Sequence, residues 1–168
     1  WKEVLGGGRR AVFISGEPGI GKTRRAAEVA RVAYSERAVV LYGCCDEGLN
    51  MPHQPFVEAL DFYLARADHV EVGTHPGELS RVSARVRTRV PRAPEPIPGD
   101  PDVEQYRLFE AISSWLATLA EHSPVVLVVD YVHWASRPTV LMLRHILRTV
   151  SEEPLLLIGP HGTAKSLL

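Results

Sequence analysis

Gly16-Glu17-Pro18-Gly19-Ile20-Gly21-Lys22-Thr23 is a full match to the G-x-x-x-x-G-K-[ST] pattern. The chemistry needs these residue types at this spacing. Glycine takes positive φ without a Cβ clash, so the chain can turn tightly. Successive backbone N–H groups then face inward and cup the phosphate oxygens of a nucleotide. The loop runs into the start of a helix, whose dipole favours negative charge at that point. In such a loop Lys22 reaches the β- and γ-phosphates, and the Thr23 hydroxyl ligates Mg²⁺.

A second candidate lies more than a hundred residues on, where the aliphatic run Val125-Val126-Leu127-Val128-Val129 ends in Asp130. A carboxylate at the C-terminal end of a buried strand sits where open α/β sheets place their ligands. Beside a phosphate loop it is the residue expected to hold Mg²⁺, directly or through water. Taken alone, Asp130 would read as a strand-end or helix-capping residue. Other chemistry-bearing side chains have plainer readings. Cys44 and Cys45 are adjacent and the only cysteines, which gives neither a disulfide framework nor zinc spacing. They read as small half-buried thiols in a reducing compartment. Arg81, Arg85 and Arg89 recur every four residues in an expected helix over 77–90, and read as a solvated face. The histidines show no ligand spacing.

These residues need elements to position them. Residues 10–15 form an apolar run that ends at the loop and reads as a buried strand, and 22–34 follow with helical spacing. Further strands are expected over 38–42, 125–130 and 155–158, the last ended by Gly159-Pro160. Helical spacing also marks 56–66. The proline-rich stretch 91–101 reads as a surface loop, and 56–101 together as a helical insertion. Asp102 is placed to cap an amphipathic helix over 103–121, and Ser136 to start one reaching Val150. Strands alternating with helices imply an α/β fold with a mostly parallel sheet. With 168 residues, 45% of them hydrophobic, one domain over 1–168 is expected. A net charge of −1 argues against a basic nucleic-acid footprint. The longest wholly aliphatic run is five residues, too short to span a bilayer. No leader is expected, and the absence of an initiating Met suggests a piece of a longer protein.

The chain resembles the P-loop ATPase domain of the STAND class, of the AAA-like type found in large LuxR-type bacterial transcriptional regulators. In some of these, especially actinobacterial ones, the domain follows a nucleotide-cyclase-like domain. The marks are the phosphate loop continued through Arg24, then Tyr42-Gly43-Cys44-Cys45-Asp46-Glu47, Gln54-Pro55-Phe56, Tyr106-Arg107-Leu108-Phe109, and Val128-Val129-Asp130-Tyr131-Val132-His133-Trp134-Ala135. The resemblance implies a three-layer P-loop sandwich in which the strand over 155–158 lies between the phosphate-loop and Asp130 strands. It places the fifth strand, the helical lid and the DNA-binding helix-turn-helix beyond Leu168. It also implies a cytoplasmic ATP/ADP-gated switch with Mg²⁺. Its partners would be other domains of the same polypeptide and, as a possibility, further copies of itself. It implies no membrane, and contact with DNA only through a domain outside this chain. ATP rather than GTP rests on the resemblance alone; the sequence shows no guanine-reading Asn/Lys-x-x-Asp pattern.

The departures from that family are concentrated where hydrolysis occurs. The usual second acidic residue after the metal aspartate is Tyr131, a poor base at neutral pH. The acidic residue after His-Trp-Ala is Ser136, and the Gly-Thr-x-Arg sensor segment is Gly159-Pro160-His161-Gly162, without arginine. Arg25 replaces a leucine expected to pack on the sheet. Each loss of a water-orienting or sensor group is expected to cost about 10²-fold in rate. The expected function is therefore nucleotide binding with weak or no hydrolysis. An active ATPase that uses Asp46 or Glu47, and a remnant that binds no nucleotide, remain open. Trp134 is expected to pack under the loop after Asp130, and His133 to cap a helix.

Overall fold

The structure, a computed structural model, describes residues 1–150 and 152–162; the tail expected from Thr163 lies outside them. Four strands form one sheet: β1 (Arg10–Ser15), β2 (Val39–Cys44), β3 (Val125–Asp130) and β4 (Leu155–His161). Every pairing is parallel, in the order β1-β4-β3-β2. β4 thus lies between the phosphate-loop strand and the Asp130 strand, as the resemblance implied.

β3 is the centre of the molecule, and all six of its residues are buried. Side chains alternate between the two faces of a strand, and the packing on β3 follows that alternation. Val126 and Val128 join Leu156 and Ile158 of β4 against Ala26, Ala30 and Ala33 of α2 (Lys22–Ser35). Val125, Leu127 and Val129 face the opposite layer. That layer is built from α3 (Gln54–Arg66), α6 (Pro101–His122) and α7 (Arg137–Thr149), to which α6 contributes the fully buried Trp115. The result is a three-layer α/β sandwich with a short preceding helix, α1 (Lys2–Leu5).

Four details differ from the sequence expectations. β1 is an edge strand rather than a buried one. Five of its six residues are exposed, and Val12 and Phe13 are 48% and 44% accessible. This exposure is that of the sheet formed by the described residues, in which β1 pairs on one side with β4. Second, β4 does not stop at Ile158. Its ladder with β3 ends there, but Gly159, Pro160 and His161 continue opposite Phe13, Ile14 and Ser15 of β1. Proline is accommodated where a strand has a neighbour on one side only. Third, α6 starts at Pro101, so Asp102 lies in its first turn instead of capping it. There the carboxylate still complements the helix dipole.

Fourth, the helix expected over 77–90 is broken into α4 (Pro76–Leu79) and α5 (Arg85–Arg89). Serine side chains compete with the helical backbone at the break. Ser80 Oγ donates to Gly77 O, and Ser83 Oγ accepts from Arg85 N. The arginines therefore share no stripe, and each has a local partner. Arg81 pairs with Glu78 at 2.7 Å and Glu104 at 3.2 Å. Arg85 lies 3.9 Å from Asp61, Arg87 pairs with Glu95, and Arg89 donates to Ala67 O.

Glu78, 4% exposed, also holds the 91–100 loop by accepting Ile97 N at 2.9 Å. Burial pushes its carboxyl up, but the Ile97 N–H and the Arg81 guanidinium outweigh burial and hold it below its ordinary value. A carboxyl depressed in the folded state stabilises fully above its unfolded value, near 4.5, and loses that contribution as pH falls through the folded value. Glu78→Gln is therefore expected to lower stability at pH 7 by about 2 kcal/mol. The gap to the unsubstituted protein should close at acid pH, as read by urea unfolding at both pH values.

Candidate functional site

The site lies at the C-terminal ends of β1, β3 and β4. The loop after β1 turns at Gly19 (φ 82°) and Gly21 (φ 88°), the latter at the N-cap of α2. No side chain caps α2, so its first-turn N–H groups have no side-chain acceptor and face an anion-binding position. Lys22 Nζ folds back over the loop and donates to Gly16 O and Glu17 O, both at 2.9 Å. Among the described residues it has no carboxylate partner.

Asp130 is 1% exposed and accepts three hydrogen bonds from three segments. Thr23 Oγ1 donates to Oδ1 at 3.3 Å, the Tyr131 N–H to Oδ1 at 2.9 Å, and the Tyr42 hydroxyl to Oδ2 at 3.2 Å. Burial and then the Asp130 charge push the Tyr42 phenol well above its ordinary value, so Tyr42 is a constant donor. Thr23 Oγ1 and Asp130 Oδ1 are separated by little more than adjacent oxygens of an octahedron with bonds of about 2.0–2.1 Å. This donor set suits Mg²⁺, which keeps several waters and takes few protein ligands. Among the described residues no cluster of three His, Cys, Asp or Glu side chains offers an all-protein metal cage.

Between the loop and the strand ends lies a cavity of about 390 Å³. One wall is Pro18, Gly19, Gly21, Lys22 and Thr23; the other is Asp130, Tyr131, His133, Trp134 and the 160–162 segment. Gly16 and Glu17 contribute through carbonyls that hold Lys22. Ile20 is 60% exposed, and neither it nor Arg24 lines the cavity. Arg25 is exposed on α2, whose alanines pack on the sheet in its place.

Tyr131 adopts a left-handed conformation (φ 53°), which a bulky side chain rarely takes. Its N–H bond to Asp130 and its ring stacked on Trp134, with centroids 4.8 Å apart, hold it there. Asp130 is the one carboxylate among the described lining residues, which include no arginine. Trp134 lies partly buried beneath Tyr131, in keeping with the expected packing. His133 is not a helix cap; Ser136 caps α7. The His133 ring instead accepts the Gly162 N–H through Nδ1 at 3.1 Å and secures the end of β4. Burial, then His161 and Lys22, hold it below its ordinary value against the opposing pull of Asp130 and Glu47. Asp46 is turned aside by Gln54 at 2.8 Å; Glu47 is exposed and its charge reaches His133.

Sequence reasoning missed the Tyr42 bond and the place of His161 and Gly162 in the wall. Tyr42 could have been found from register alone, since it sits opposite Val128, two residues before the Cys44–Asp130 pair.

A parallel sheet of this order, with a phosphate loop and a buried strand-end aspartate bridged to its threonine, defines a P-loop NTPase-like domain. The family model for the AAA ATPase domain matches residues 1–158, and the chain belongs to that family. It is accordingly a nucleotide-binding P-loop domain. Searches of curated proteins and of solved structures gave no match. Among the described residues no helix is long and apolar enough to cross a membrane.

Burial raises Cys44 to about 11 and Cys45 to about 12, helped by nearby acidic groups. Only about one Cys44 in a thousand is thiolate at pH 8. Alkylation of the native protein by iodoacetamide at that pH is expected to be far slower than of the urea-unfolded chain. Equal rates would show that the thiols are not held as described.

Proposed function

We propose that this domain is an ATP- and ADP-binding regulatory switch that requires Mg²⁺ and hydrolyses ATP slowly or not at all. It serves in a cytoplasmic, multidomain signalling or transcriptional regulator of the STAND, LuxR-type kind. Its partners are other domains of the same polypeptide and further copies of itself, with DNA bound only by a domain outside these residues. The observation that carries the proposal is the contrast within one cavity. The phosphate loop and the Thr23–Asp130 pair are complete, while the residue after Asp130 is a tyrosine stacked on Trp134.

Each residue then has a definite task. The loop N–H groups and Lys22 neutralise phosphate charge, and Lys22 exchanges its two backbone acceptors for phosphate oxygens. Thr23 and Asp130 hold the metal, which supplies further charge neutralisation when bound. Tyr42 and the Tyr131 N–H orient the Asp130 carboxylate. Tyr131 presents an aromatic ring where a base would orient water, so the bound triphosphate persists and its presence is a signal. A second reading, an active ATPase, draws on Glu47, whose charge reaches His133.

Calorimetry with Mg·ATP should show binding by the purified protein and a loss of about 10- to 100-fold in Lys22→Ala. No binding by the unsubstituted protein would overturn the proposal. Phosphate release should be near background and rise about 10²-fold in Tyr131→Asp. Rapid release that is indifferent to this substitution would favour the ATPase reading.

A further inference from the structure

We propose that His133 donates a hydrogen bond through Nε2 to the terminal phosphoryl group of the bound triphosphate, and that this bond lets the cavity distinguish ATP from ADP. The inference rests on the nucleotide-binding reading above and assigns one side chain within it.

The tautomer follows from the end of β4. The Gly162 N–H points at His133 Nδ1 at 3.1 Å, so that nitrogen is an acceptor. In a neutral imidazole the proton then sits on Nε2, which becomes a donor. His161 is arranged in the opposite sense. Its Nδ1 lies 2.8 Å from Gly162 O, a carbonyl that can only accept. Its Nδ1 therefore carries the proton, and its Nε2 is an acceptor that a phosphate oxygen would repel. Of the other side chains of that wall, Asp130 accepts and Pro160 has no N–H, while Tyr131 and Trp134 are stacked on each other and carry an O–H and an indole N–H. His133 is thus a neutral side-chain donor in the lining of the cavity that the phosphate loop borders.

Its position is well determined. The ring packs against Trp134 with centroids 4.6 Å apart and lies 6.0 Å from Tyr131, within a single 3₁₀ turn, Val132–Trp134. Gly162 packs over the ring, where an added Cβ would only make ordinary contact, 3.5–3.7 Å from Nε2, Cε1 and Cδ2. His133 lines the same cavity as Lys22, Thr23 and Asp130, the groups assigned to the phosphates and the metal. A neutral ring is also consistent with its lowered proton affinity. The loop amides serve phosphates common to both nucleotides and Lys22 spans the β- and γ-phosphates, whereas His133 enters the cavity lining from the turn after β3. A donor there is useful only when a further phosphoryl group is present.

The test is calorimetry of the protein with Mg²⁺ and either ADP or a β,γ-imido analogue of ATP. His133→Phe, which keeps a ring without nitrogens, should weaken the triphosphate analogue about ten-fold and leave ADP within two-fold. His133→Gln, which restores an N–H donor, should recover most of the preference. A Phe variant that binds ADP normally and keeps the full preference would overturn the inference while leaving the nucleotide-binding reading intact. If the unsubstituted protein binds neither nucleotide, both fail together. A measurement on the unsubstituted protein covers loss of folding in the variants. With ¹⁵N-labelled imidazole, the His133 Nε2 proton should become protected from exchange with the triphosphate analogue and not with ADP. Equal protection by both ligands, or by neither, would also overturn it.

Discussion

A carboxylate removed from water costs several kcal/mol unless charge or hydrogen bonds compensate it. Asp130 is such a group, at the end of a strand buried on both faces. Its compensation comes from Thr23 at the start of α2, from Tyr42 near the end of β2, and from the next residue's own N–H. These donors are distant in sequence and meet only if the sheet is in register and α2 sits at its proper height. The phosphate loop is the segment between β1 and that helix. Its placement over the strand ends is therefore tied to the satisfaction of one buried charge.

The sheet that carries this arrangement is unequally covered. On one side α2 presents alanines, so its axis can approach the strands closely. On the other side larger residues of α3, α6 and α7, including Phe56, Trp115 and Met142, form the main core. The helix that carries the phosphate loop thus lies on the tightly packed, small-residue face, where a larger side chain would push it outward. The insertion between β2 and α6 is held mainly by polar contacts centred on Glu78 and Glu104, which bind the proline-rich loop to α4 and α6.

Much of this was legible in the sequence because it depends on local signals. The phosphate loop is a spacing of residue types, β3 an unbroken aliphatic run, and α6 and α7 are periodic patterns. What was not legible depends on neighbours. Val12 and Phe13 look as apolar as Val126 and Leu127, and only strand order makes one pair exposed and the other buried. The break between α4 and α5 follows from serine hydrogen bonds that helical periodicity does not register. β4 outruns its Gly-Pro signal because β1 extends further alongside it than β3 does. His133 was noticed as an aromatic neighbour of Trp134, but its role at the end of β4 requires the Gly162 N–H, 29 residues away.

The hydroxyl of Thr23 has one proton. Without a metal that proton points at Asp130 and joins the start of α2 to the end of β3. A cation held by both oxygens needs their lone pairs on the same side, so the proton must rotate toward another acceptor. A cation held by Thr23 and Asp130, directly or through water, would replace that hydrogen bond and would still join the same two segments. The direct link between helix and strand would then respond to the ion through the orientation of a single O–H bond.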